Sequence, residues 1–236
     1  MKTNVRKNFI LSPNGLEMAD NFPTTQYESI YKIVSAKKAG HSSYEHFSGA
    51  WNALAYRYRA AVDHKDSFID SIRENGSTPP PEIRYLQEKI LFDFFSSSFS
   101  AFEALFYGLY AIGTFISPSR FSLSSERDQQ GVSPSRTQKT YYEAFPNDII
   151  LDSFSNLFSD PAFQQIREIR NILTHRTAPG RRMYVSIGND DAPATEWKLN
   201  NVPIDESITE KATQDLSRLL MNLLVASEEF AKRNIS

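Results

Sequence analysis

Cysteine is absent from the 236 residues, which removes disulfides, thiolate nucleophiles, zinc ribbons and iron–sulfur clusters together. Histidine is scarce, at four, so any proton transfer near neutral pH rests on very few side chains. Neither sign of charge dominates: 26 Lys and Arg stand against 28 Asp and Glu, a formal net charge of −2. A protein that coats nucleic acid or a membrane through bulk positive charge is thereby excluded, although a local basic site is not. Long apolar runs are missing as well. Near the start only Phe9-Ile10-Leu11 precedes Pro13, too short for a signal-peptide core. The apolar stretch after Glu103 stops before Arg120 and contains Ser and Thr, short of the roughly 18 residues that a spanning helix needs. The expectation is a cytoplasmic chain with no membrane partner.

Familiar catalytic signatures are lacking too. There is no HExxH, GxSxG or GxxxxGK[ST], which sets aside zincin, hydrolase-elbow and phosphate-loop chemistry. Asp63-His64 with Asp66 suggests a metal phosphohydrolase, but the order is reversed and no second His follows at helical spacing, so a solvated face is expected. His41 and His46, flanking Glu45, form a weak ligand pattern beside a helix start; Asp190-Asp191 suits a turn. No metal and no cofactor are expected.

What is present is an apolar fraction of 40% with 17 Phe and 11 Tyr, enough for one aromatic core. Helical spacing runs through Tyr27, Ile30, Tyr31 and Val34, then from Ser43 to Glu74 until Asn75-Gly76. After Pro79 to Pro81 a second long helix extends to Pro118 and is apolar nearly all round, so it belongs at the centre. Residues 119–146, rich in Ser, Gln and Arg, read as a long loop. Periodicity returns over 148–158 and again from Pro161 to His175 or Arg176. Alternation in 183–187 and 195–199 predicts a hairpin within 181–200, and one apolar face runs from Asp205 to the end. The fold class expected is all-α: an up-and-down helical bundle with a small β-hairpin insertion before the last helix, one domain over 1–236 with 1–42 as an N-terminal extension.

One segment stands apart. From Arg167 to Arg182 there are five Arg and one acid, a net of about +4 in a chain whose total is −2, so anions are drawn there. Arginine's planar fork matches phosphate oxygens and histidine moves protons. The pair suffices for one metal-free reaction, transesterification of RNA, in which a base takes the 2′-OH proton and a cation stabilises the phosphorane. Arg167, Asn171 and His175 share a helical face at steps of four, whereas Arg170 and His175 lie about 140° apart on an ideal helix. Joining Arg170 to His175 therefore requires unwinding at the helix end or a second copy across a symmetric dimer, and the second is favoured.

Arg170-Asn171-Ile172-Leu173-Thr174-His175 resembles the RNxxxH form of the motif of HEPN domains, all-helical modules associated with nucleic acids. The resemblance covers the motif and the helical architecture over about 43–234. It implies a homodimer with a shared cleft, and for many members a metal-independent endoribonuclease, some in toxin–antitoxin or antiviral defence systems. Other members are inactive modules that bind RNA, a nucleotide or a partner protein such as an antitoxin. Carried across, His175 is the general base or acid, Arg170 the phosphate cation and Asn171 an orienter. Arg167 and Arg176 are phosphate candidates from charge and position alone. Glu103, the only charge between Asp93 and Arg120, is expected to be buried and to require a cation, which an Arg of the motif would supply.

Overall fold

The computed structural model describes residues 15–183, 195–199 and 201–235. Helix α1 (Thr24–Lys38) is followed by the long antiparallel pair α2 (Tyr44–Asn75) and α3 (Pro81–Ile116). Short helices α4 (Glu126–Gln130), α5 (Pro134–Ala144) and α6 (Ile150–Ser159) lead into α7 (Pro161–His175). Three short strands, β1 (Arg181–Met183), β2 (Thr195–Leu199) and β3 (Val202–Pro203), precede the closing helix α8 (Glu206–Asn234). The architecture is the expected all-α bundle with a small antiparallel sheet before the last helix.

Helix α3 is the hub, packing on α2, α5, α7 and α8. By length and mean hydropathy it is apolar enough to cross a membrane, contrary to the expectation from its C-terminal half alone. However, 72% of its most apolar window is buried inside the protein, as for a core helix. Its own Phe94, Phe102 and Phe106, with Trp51 of α2 and Tyr141 of α5, are each essentially inaccessible. Aromatic burial on this scale removes about 150–250 Å² per ring from water and dominates the cohesion of the bundle.

Two expectations need correction. The segment 119–146 is not a loop: Ser125 and Asp128 form a reciprocal capping box for α4, and Ser133 caps α5 with Pro134 in its first turn. The same Ser, Asp and Pro residues that depress helix propensity in general start helices when they sit at caps. Nor is the region before residue 43 merely an extension. Tyr27, Ile30 and Val34 of α1 are fully buried, the Tyr27 hydroxyl donates to the Trp51 carbonyl and the Trp51 indole donates to the Tyr27 carbonyl, each at 3.0 Å.

In the sheet, β1 pairs with β2 antiparallel, Arg181 opposite Trp197 and Met183 opposite Thr195, and β2 pairs with β3. The expected strand over 183–187 and the Asp190-Asp191 turn otherwise fall outside the described residues.

Candidate functional site

Helix α7 carries the Arg/His motif, and its start is fixed before its end. Asp160 caps it by accepting from the Ala162 N–H at 2.8 Å, with Pro161 in the first turn. Phe163, Ile166, Ile169 and Ile172 form its buried face. Phe163 meets Phe99 and Phe102 of α3 at ring-centroid distances of 6.0 and 5.1 Å. That register lays Arg170 along the flank of α3.

There the Arg170 guanidinium donates from Nη2 to Glu103 Oε1 at 3.2 Å and from Nη1 to Asn171 Oδ1 at 3.0 Å. Its carbon lies 4.8 Å from the centre of the Phe99 ring. Ser100 Oγ donates to the other oxygen of Glu103, and Arg57 of α2 donates to the Ser100 carbonyl at 3.1 Å. A network thus runs from α2 across α3 to α7. Two of arginine's five N–H groups are used, leaving three without a partner among the described residues. Glu103 is not buried as expected: its side chain is 38% exposed and that of Arg170 23%. The pair adds little stability at such exposure; its effect is to hold the fork in one orientation.

His175 is the last residue of α7, exposed, with no hydrogen-bond partner among the described residues. Because the helix stays wound to that point, Arg170 and His175 keep the roughly 140° separation of an ideal helix. One chain does not bring them together. Asn171 stands between them, its carbonyl oxygen turned to Arg170.

The basic segment disperses in the fold. Arg176 Nη1 donates to Glu168 at 2.7 Å. Arg167 is exposed over the edge of the helix, its guanidinium carbon 5.9 Å from the Phe163 ring. Arg181 is withdrawn altogether: its side chain is 5% exposed, stacked 3.7 Å from the Trp197 ring and donating to Gln87 Oε1 at 2.7 Å. Asp63 and Asp66 form local ion pairs with Arg59 and Lys65 on the outside of α2. Among the described residues no three His, Asp or Glu side chains are grouped to hold a metal ion.

Sequence reasoning missed Arg57, Phe99 and Ser100. Ser100 and Glu103 share a face of α3 at a step of three, which was a usable signal. Arg57 gave none, since its link to α3 runs through a backbone carbonyl. Compared with models of known families, with characterised proteins and with solved structures, the chain shows no match.

Proposed function

We propose that the protein is a HEPN-like, metal-independent endoribonuclease acting as a homodimer. In this reading two α7 ends face one cleft, each copy supplying the imidazole that the other's Arg170 lacks. The observation that carries it is the Arg170 guanidinium, braced by Glu103 and Asn171 and left with three N–H groups, on a rigid helix whose exposed tip is a free His175. His175 takes the proton from a ribose 2′-OH, and the O2′ atom attacks the adjacent phosphorus. Arg170 neutralises the charge growing on the non-bridging oxygens. The P–O5′ bond then breaks, the departing oxygen takes a proton from an imidazolium, and a 2′,3′-cyclic phosphate remains.

A second reading is an inactive module that binds RNA, a nucleotide or a partner protein such as an antitoxin. It is favoured by the internal neutralisation of Arg170, Arg176 and Arg181, which leaves the segment less basic than its sequence. Incubation with single-stranded RNA in EDTA separates the two. The ribonuclease reading expects 2′,3′-cyclic ends and a loss of about 10² to 10⁴-fold for His175→Ala, with a comparable loss for Arg170→Ala in a folded protein. Cleavage undiminished by either substitution, or no cleavage at all, leaves the binding module.

A further inference from the structure

At the end of the α2–α3 pair opposite the sheet, the turn between α1 and α2, the C-terminal end of α3 and the segment 118–129 line an open cavity of about 610 Å³. This lies within the roughly 300–1,000 Å³ of small-molecule sites. It contains none of the residues of the Arg170 site.

Its two walls differ in hydrogen-bonding character. One is formed by His41, Ser42, Ser43 and His46. The Ser43 backbone N–H donates to His41 Nδ1 at 3.1 Å, so the neutral ring carries its proton on Nε2 and presents a donor. His41 is packed edge-on against Phe115 at 4.9 Å, and Tyr107 pairs with His46 Nδ1 at 3.1 Å, so both rings are held in place. The Ser43 side chain makes no capping bond with α2. No carboxylate lines this wall.

The opposite wall accepts. Ser122 and Ser124 lie 2.8 and 3.3 Å from one Asp128 oxygen and 3.0 Å from each other, so their two hydroxyl protons are spent within this cluster and the group faces a ligand with acceptor capacity only. Gln129 donates to the Leu123 carbonyl at 3.0 Å and Thr114 to the Ala111 carbonyl at 2.7 Å, so each retains an acceptor oxygen. Hydrogen bonds from three serines, Ser122 foremost, hold the Asp128 carboxyl below the usual range.

We propose that this cavity binds a phosphorylated small molecule of mononucleotide size, its phosphate against His41, Ser42, Ser43 and His46 and its donor-bearing end against Ser122, Ser124 and Gln129. The site is separate from the ribonuclease reading and does not depend on it.

The test is calorimetric titration of the full chain with the four nucleoside 5′-monophosphates, the matching nucleosides and inorganic phosphate. At least one monophosphate is expected to bind ~10-fold or more tightly than its nucleoside. Ser42 is exposed, so Ser42→Asp leaves the fold intact, which its circular dichroism checks, while setting a carboxylate against the phosphate. It should weaken that monophosphate ~10-fold and spare the nucleoside; Ser42→Lys should tighten it. Binding should survive Arg170→Ala. Absence of binding by every monophosphate, equal affinity for nucleotide and nucleoside, indifference to Ser42→Asp, or loss in Arg170→Ala would each overturn the proposal.

Discussion

Asp160 acts twice at the start of α7: it caps the helix through the Ala162 N–H, and it receives both terminal nitrogens of Arg218 at 2.9 and 3.3 Å. The Arg218 hydrogen bonds, followed by those from the backbone, hold its carboxyl below the ordinary range. A lowered folded-state value means stability that is present above the unfolded value, about 3.9, and is lost as pH falls through the folded one. Arg218 is 46% exposed, so the ion pair contributes little and the cap contributes most. Urea unfolding at pH 7 is therefore expected to show Asp160→Ala costing about 1–2 kcal/mol and Asp160→Asn distinctly less. The gap between wild type and Asp160→Ala should shrink as pH falls below 4. The α7 cap was legible in the sequence, as Asp-Pro ahead of an apolar period. The Arg218 partner was not, because it comes from α8, 58 residues away. The candidate site shows the same division. Residue types and the face of Asn171 and His175 follow from spacing, whereas the dispersal of Arg176 and Arg181 depends on which partner each arginine meets, which no local pattern encodes.

Elements are set by what a helix must pass. A Cβ at Gly113 would lie 2.4 Å from the ring of Phe121, itself buried against Tyr110 and Tyr141. One at Gly49, in the second turn of α2, would meet nothing within 4 Å. The same substitution should therefore have opposite signs. Gly113→Ala is expected to cost about 1–3 kcal/mol through overpacking, and Gly49→Ala to gain about 0.5–1 kcal/mol through helix propensity. Thermal and denaturant melts of the two variants decide. The sheet is tied on differently. Arg181 reaches from β1 to Gln87 and to the Ser77 carbonyl at the α2–α3 turn, and covers Trp197. Arg181→Met should leave fully buried Gln87 short of a partner, at about 1–3 kcal/mol, and open the Trp197 environment. A red shift of indole emission with helix content unchanged is the expected signature. The long helices could be read from the sequence since their apolar period persists for many turns. The short α4 and α5 could not, because their polar composition leaves caps as the sole signal.

For the whole molecule, the decisive matter is whether one chain holds a complete site. Helix α7 is continuous from Pro161 to His175, so Arg170 and His175 point away from each other by about 140°, and no bend in that helix repairs it. The proposed dimer repairs it by symmetry: a two-fold axis makes each site from Arg170 of one protomer and His175 of the other. Mixing inactive variants tests this directly. In an Arg170→Ala/His175→Ala heterodimer one site has neither group and the other has both. Half of the dimers in an equal, fully exchanged mixture are hybrids and half of their sites are intact, so RNA cleavage should return to roughly one quarter of the wild-type rate. A site built within one protomer gives no recovery, since every copy then lacks one group. Co-purification of differently tagged copies verifies exchange, and cleavage that stays at background in an exchanged mixture would remove the shared site while leaving the helical bundle, its braced Arg170 and its exposed His175 as they are.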